Sequence, residues 1–426
     1  MTAPVDWSRL VAEYGSPLYA YDLGGVRDAH AALAAALPAQ AGILYSLKAN
    51  PHPGIVAQLR RLGCGAEVSS RSELVTALDA GIDAADIVYT GPGKSAAEVG
   101  QALRTGARLF SVDSAAQLDT LREVASGLCV DVSVLLRVNP DRSSTGASLA
   151  MTGVASPFGV DARLLLAQPH RFAPSAGCDV VGLHFYLGSN LPSREALGRQ
   201  FAESIELAAE LCRALGVRPR ILDLGGGFPR SYLVPEPPVD LAGLGEVVDD
   251  ALAAAFSGPA QQRPRLLFES GRYLVGAAGW LVATAVDVKV SRDRTFAVLD
   301  SGINHLGGMS GLGRLPRIRP EVTRVGDPTA EPRPTDVVGP LCTPLDFWTR
   351  SSPIGVRAGD HVVVPNAGAY GLTASLLAFL GRDCPAEVVL DHGQVVDASR
   401  LIYERRPIPA TTDRHLAGRP QETGAA

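Results

Sequence analysis

Short apolar runs recur through the first two thirds of the chain. They are Gly42–Leu47, Ala66–Val68, Ile87–Tyr89, Leu109–Val112, Val134–Val138, Val180–Phe185, Ile221–Leu224 and Leu266–Phe268. They are rich in strand formers, and each predicts a buried strand. Stretches of helical pattern lie between them, among them Arg71–Ala80, Ser95–Arg104, Ala115–Ala125 and Ser193–Leu215. An Ala-rich helix is expected earlier, from about Gly25 to Leu37, stopped by Pro38. Eight strands alternating with helices over about 240 residues predict a (β/α)8 barrel.

After Gly279 the texture changes. Trp280–Val290, Thr295–Leu299, Asp336–Gly339, His361–Val364 and Glu387–Leu390 are β-branched runs separated by Gly, Pro and Asp, with few helical stretches between them. They predict an all-β second domain. The expected fold is α/β plus all-β, a TIM barrel followed by a C-terminal β domain. Its divisions are an N-terminal strand and helix (1–35), the barrel (36–280), the β domain (281–408) and a polar, disordered tail (409–426). The strand around Leu18–Tyr21 is expected to pair into the β domain, and residues 325–335 form a Pro-rich connection.

The 426 residues suffice for two domains and a sizeable core. With 46% hydrophobic and 19% charged residues the composition is globular, and a net charge of −5 argues against a nucleic-acid surface. The Ala-rich Val26–Leu44 stretch is interrupted by Arg27, Asp28, His30 and Gln40, so it predicts no membrane span. No charged segment followed by an apolar one opens the chain, so no signal peptide is expected. Cys64, Cys129, Cys178, Cys212, Cys342 and Cys384 form no CxxC pair, which predicts free thiols in a reducing cytoplasm and no zinc site.

The candidate chemistry sits at strand ends. Lys48 closes the run Tyr45-Ser46-Leu47 and is followed at once by the turn signals Asn50 and Pro51. A barrel places reactive side chains there. A partly desolvated lysine has its pKa lowered and attacks an aldehyde; the bland alternative is a solvated strand-end lysine. Leu222-Asp223-Leu224 runs directly into Gly225, Gly226 and Gly227, which let backbone N–H groups converge on an anion such as phosphate, or else form an ordinary tight turn. Glu269 and Arg272 follow the apolar Leu266–Phe268. A carboxylate there holds a proton on a pyridine-type nitrogen and a guanidinium pairs with phosphate, unless the two form an exposed ion pair. His184 lies in an apolar run before Gly188 and Ser189, as a core histidine or as a flat ring beside a cofactor. Cys342, near Thr343 and Asp346, is a candidate acid or an inert thiol, and Tyr370 lies between small residues that leave its hydroxyl free to reach a ligand. An imine-forming lysine, a phosphate loop with an arginine, a glutamate for a ring nitrogen and a stacking histidine are what pyridoxal phosphate needs.

These stretches resemble the fold-type III pyridoxal-phosphate decarboxylases, the group of diaminopimelate and ornithine/arginine decarboxylases, in the expected order from about Ser16 to Arg405. The resemblance implies an alanine-racemase-like barrel followed by a β-barrel domain, in a head-to-tail homodimer with shared active sites. It makes Lys48 the Schiff-base lysine, His184 the residue stacked on the ring and Glu269 the partner of the pyridine nitrogen. Ser189, Gly225, Gly226, Gly227, Arg272 and Tyr370 match phosphate or cofactor contacts, and Arg137 matches a barrel arginine near the cofactor. Cys342 matches the cysteine that the partner subunit supplies as proton donor.

Two departures bear on the substrate. Where enzymes acting on basic amino acids or diaminopimelate carry Asp or Glu after the cysteine, this chain has Thr343, which cannot pair with an ammonium. Where the diaminopimelate enzymes carry Arg-Pro-x-Leu-Tyr, it reads Asp300 to Ser310, including His305. Thr343, Asp346 and His305 are the candidate substrate residues. The Asn-His-Leu, Gly-Pro-Leu-Cys-Thr-Pro-Leu-Asp and Gly-Ala-Tyr-Gly-Leu-Thr-Ala-Ser segments look closer to a subgroup that includes the exosortase-associated decarboxylases. The same subgroup includes the butirosin-pathway enzyme acting on a glutamyl group held by an acyl-carrier protein. This implies decarboxylation of an α-amino acid in natural product biosynthesis, free or carrier-bound. Gly307–Gly313 with Arg314, Arg317 and Arg319 would receive an acidic carrier protein, or form a solvated basic loop. The alternatives are diaminopimelate decarboxylase proper, a racemase on a related barrel, and a non-enzymatic regulator of the antizyme-inhibitor kind. The last would lack the lysine or the phosphate loop, and both are present.

Overall fold

Eight parallel strands pair in a closed ring. The order is Gly42–Ser46, Gly65–Val68, Ile87–Tyr89, Leu109–Val112, Val132–Asn139, Cys178–Phe185, Ile221–Asp223 and Arg265–Ser270, the last returning to the first. The structure, a computed structural model, describes residues 5–141, 149–150, 154–259, 262–307, 319–327 and 330–408. All eight strands fall on the apolar runs that predict them. The helices between them start on side-chain caps: Ser70, Ser95, Ser114 and Ser193 each accept a backbone N–H of the first turn. Pro53–Arg61 and Leu244–Ala255 are two further helices, and Trp7–Tyr14 precedes the first strand.

The barrel interior follows the two-residue period of a strand. Leu44, Val88, Leu109, Leu135, Val181, Leu267 and the partly buried Ile221 form one apolar plug. Two positions after a plug-level residue, each strand turns a buried polar side chain inward. Ser46 follows Leu44, Glu67 follows Gly65, Thr90 follows Val88 and Ser111 follows Leu109; Arg137 follows Leu135, His184 follows Gly182, Asp223 follows Ile221 and Glu269 follows Leu267. Parallel register sets Arg137 and Asp223 level with His184 from either side. The result is a dry apolar floor beneath a polar ring at the C-terminal mouth, where barrels carry their chemistry.

The second sheet runs in the order Phe347–Ile354, Arg333–Val338, Arg294–Leu299, Gly279–Ser291, Leu18–Asp22, Ala386–Asp391 and Gln394–Arg400, with His361–Val364 added against Gly279–Ser291. Leu18–Asp22 lies in its middle, antiparallel to Gly279–Ser291 and parallel to Ala386–Asp391. All five of its residues are buried, so the start of the chain completes the core of a sheet built from its end. Of the Pro-rich connection, Arg333–Thr335 belongs to a strand. The expected tail, 409–426, and positions 308–318 of the basic loop lie outside the described residues; Arg319 is exposed. The six cysteines are free thiols, Cys129 and Cys342 exposed and the others buried. Among the described residues no helix is long and apolar enough to cross a membrane.

Candidate active site

Lys48 stands on a single 3-10 turn, Leu47–Ala49, directly after its strand. The turn is fixed from the second domain: Tyr370 N–H donates to Ala49 O at 2.7 Å, and Asn50 Nδ2 donates to Gly368 O at 2.9 Å. The site therefore forms where a loop of the β domain meets the barrel mouth. Lys48 Nζ lies 2.8 Å from Glu67 Oε2 and 5.6 Å from the centre of the Tyr186 ring. Here the sequence expectation is corrected. Burial pushes the Lys48 ammonium down, but the carboxylates of Glu67 and Glu269 outweigh it, and the net shift is upward.

Glu67 was not singled out from the sequence. Its carboxylate is buried, bonded to Lys48 and Thr90, and held below its usual range because these partners outweigh the cost of burial. Its signal was a charged residue inside the apolar run Ala66–Val68.

Across the barrel, His184 is buried with Nδ1 2.7 Å from Ser111 Oγ and Nε2 3.3 Å from Glu269 Oε1. Burial, then the cations Arg137, Lys48 and Lys94, push its pKa well below the ordinary histidine value, so the ring is neutral. Glu269 goes the other way. Burial and the carboxylates of Glu67 and Asp223 raise it far above the carboxylate range, against Lys48 and Arg137. Asp223 rises to about 7, chiefly by burial; its Oδ1 accepts Gly225 N–H at 2.9 Å. His184 Nε2, Glu269 Oε1 and Asp223 Oδ2 are buried with no hydrogen-bond partner. Such orphaned atoms call for a ligand with a polar edge. Ligand atoms of these three residues lie within 4.8 Å of one another, close enough for a metal ion. The surrounding Lys48, Arg137 and Lys94 disfavour a cation and favour a ring whose one N–H meets a carboxylate.

The glycine loop closes the cleft on another side. Gly225 (φ +65°) and Gly227 (φ +104°) adopt left-handed backbone, and a Cβ on Gly226 would stand 2.3 Å from Glu269 O. Among the described residues the N–H groups of Gly226, Gly227 and Phe228 donate to nothing. Ser189, Gly227, Ser270, Gly271, Arg272 and Tyr370 line the same cleft, together with Ser46, Tyr186 and Glu269. Ser270 Oγ is another buried donor without a partner. The Arg272 guanidinium lies 5.4 Å from the Tyr232 ring and 4.8 Å from the Tyr370 ring. Ser189 Oγ is 3.0 Å from Tyr186 OH. Arg137 is buried over Phe158 and Tyr186, 3.8 Å from Asp113, with Nε unpaired. Pyridoxal phosphate fits this set. Free N–H groups beside an arginine suit a phosphate, the orphaned Glu269 suits the ring nitrogen, and Lys48 offers an amine suited to the aldehyde.

The candidate substrate residues lie elsewhere in the chain's own fold. Asp346 is buried, and its carboxylate accepts the N–H groups of Ile303 and Leu341, both at 2.8 Å. His305 is buried against Ser301, Asn304 and Asp383 O, and burial lowers it to about 4. Both side chains hold loops of the β domain in place. Thr343 makes a turn, with Oγ1 accepting Leu345 N–H at 3.3 Å. Cys342 is exposed on that turn and is not among the residues lining the cleft of Tyr186, Glu269 and Arg272 in the same chain.

Comparison with known proteins agrees with this geometry. The family model for the pyridoxal-binding domain of pyridoxal-dependent decarboxylases matches residues 23–276. A diaminopimelate decarboxylase from Pseudomonas aeruginosa is 32% identical over 92% of this chain and 92% of its own. The L-glutamyl-[BtrI acyl-carrier protein] decarboxylase of Niallia circulans is 28% identical over 90% of this chain and 91% of its own. Among solved structures, diaminopimelate decarboxylase from Helicobacter pylori, complexed with L-lysine, superposes with a TM-score of 0.79. That match has 27% identity and covers 92% of this chain and 95% of the other. With a family model matched over more than half of its length and relatives over nearly all of it, the chain belongs to the pyridoxal-dependent decarboxylases, lyases whose cofactor is pyridoxal phosphate.

Proposed function

We propose that the chain removes the α-carboxylate of an amino acid carried on an acyl-carrier protein, in specialised biosynthesis. The observation that carries this reading is Thr343. The turn beside Cys342 offers a neutral hydroxyl occupied by Leu345 N–H, and no carboxylate for a distal ammonium. A site without its polar anchor discriminates poorly in favour of a diamino acid. The Niallia circulans relative acts on a carrier-bound glutamyl group, which supports a tethered substrate. The second reading, diaminopimelate decarboxylase, is favoured by the 32% identity to the Pseudomonas aeruginosa enzyme.

Bound pyridoxal phosphate supplies an electron sink for the pair left behind by CO2. Lys48 Nζ would hold the cofactor at its aldehyde, and Glu67, 2.8 Å away, would keep the ammonium within reach when the lysine is free. Glu269 would hold a proton on the ring nitrogen. His184, kept neutral by burial and the nearby cations and positioned by Ser111, would pack against the ring without adding charge. Gly226, Gly227, Ser270 and Arg272 would hold the phosphate, with Ser189 and Tyr370 beside them, and Arg137 would flank the ring.

The test is an end-point mass assay on purified, pyridoxal-loaded protein. It is offered diaminopimelate, ornithine, arginine, glutamate and an aminoacyl carrier protein. CO2 loss is expected only from the carrier-bound species. Turnover of free diaminopimelate refutes this reading and returns the protein to lysine synthesis.

We also propose a homodimer in which Cys342 of one copy completes the cleft of the other and returns a proton to the α-carbon. The thiol is exposed, and Leu345, Leu376, Phe379, Leu380 and Ile402 leave an apolar surface on the same domain. Lys48→Ala and Cys342→Ala proteins, each nearly inactive, are expected to regain part of the activity when mixed. No recovery after demonstrated subunit exchange rules out a shared site.

A further inference from the structure

Arg230 follows the glycine loop directly, in Gly227-Phe228-Pro229-Arg230, and no role above uses it. Its backbone N–H donates to Asn190 Oδ1 at 2.8 Å, and Asn190 lines the cleft from a left-handed backbone (φ +54°). A Cβ built on Gly276 would stand 3.6 Å from the Cγ of both Arg230 and Arg272, so the two stems flank one backbone position. Among the described residues neither guanidinium forms an ion pair with a carboxylate, and Arg230 Nε is buried without a partner. Arginine stays charged in proteins, so a half-buried guanidinium without an anion is an incomplete arrangement.

The cofactor's phosphate has its donors in the glycine loop, Ser270 and Arg272. We infer that Arg230 receives a second anion, on the substrate and away from the reacting amine: a carboxylate or a phosphodiester. A guanidinium pairs with either oxyanion in the same forked geometry. A carboxylate would belong to a free acidic substrate and a phosphodiester to the prosthetic arm of a carrier protein. The inference rests on the decarboxylase reading of the cleft and names the charge of the substrate's far end.

The test is calorimetric titration of the pyridoxal-loaded wild type, Arg230→Leu and Arg230→Lys with unreactive probe pairs: glutarate against pentanoate, and 4'-phosphopantetheine against pantetheine. In one pair the wild type should bind the more highly charged member at least about tenfold more tightly, the scale of one charge-assisted hydrogen bond. Arg230→Leu should lose that preference and Arg230→Lys keep part of it. Preference for glutarate assigns a free acidic substrate, and preference for phosphopantetheine a carrier arm. No preference in either pair overturns the inference. So does weaker cofactor retention in Arg230→Leu, which would assign Arg230 to the cofactor's own phosphate. The readout is heat, so failure to release CO2 from any amino acid defeats the decarboxylase reading without obscuring this result.

Discussion

Lys48→Ala, loaded with pyridoxal phosphate, is expected to release CO2 at least about 10³-fold more slowly than the wild type and to hold the cofactor without a covalent bond. The site has two lysines beside carboxylates, and the geometry separates them. Lys48 stands on the turn after its strand, bonded to Glu67 and facing Tyr186. Lys94 is buried 3.5 Å from Asp113 and lowered to about 8, mainly by burial. By pKa alone Lys94 is the readier nucleophile, whereas Lys48 stands at the ring of orphaned acceptors. Removing the Lys48 ammonium also leaves Glu67 as a buried carboxylate without its cation, which destabilises the fold. Lys48→Arg keeps that charge and cannot bond the aldehyde, so it should fold and be equally inactive. Borohydride reduction, peptide mapping and mass measurement read the attachment directly. A wild-type adduct on Lys94, or an undiminished adduct in Lys48→Arg, sinks the assignment.

How the chain announces this site follows from the period of its strands. All eight barrel strands are legible because a parallel barrel buries both faces of each strand and leaves short, nearly continuous apolar runs. The polar ring is written in or immediately after the same runs: each strand carries a polar residue two places after its plug position. Lys48, His184 and Glu269 stood out because they sit beside glycines or turns. Glu67, Asp223, Ser111 and Thr90 were hidden among strand formers, and only the barrel's closure brings Thr90 to Glu67 and both Ser111 and Asp223 to His184. The strands Phe347–Ile354 and Gln394–Arg400 were missed for the opposite reason. They are the two edges of the second sheet, and they carry charge, proline and exposed side chains that no apolar pattern marks. His305 and Asp346 show the ambiguity of a polar residue in a glycine-rich loop, which reads alike whether it meets a ligand or its own backbone. Lys48's pKa depends on the carboxylates of Glu67 and Glu269, which sequence spacing does not place.

The same crowding of carboxylates makes Glu269→Gln a two-sided experiment. Activity of the loaded enzyme is expected to fall by about 10²–10⁴-fold, because an amide holds no proton on the ring nitrogen and the electron sink weakens. The empty protein should become more stable at neutral pH. Burial, Glu67 and Asp223 raise Glu269 far above its unfolded value. Below the unfolded value both states are protonated and the group contributes nothing. As pH rises through that value the unfolded chain ionises while the folded one stays protonated, so folding stability falls until pH passes the folded value. Glutamine removes this loss. The Tm of empty Glu269→Gln should therefore exceed that of the wild type at neutral pH, and the gap should close as pH is lowered into the ordinary carboxylate range. A residue that costs stability in the empty fold and is required once the cofactor arrives is what a preorganised site demands. A variant less stable than the wild type across the whole pH range would mean that Glu269 is a structural ion-pair partner. A variant with full activity would move the ring nitrogen to Asp223, the other orphaned carboxylate in the ring.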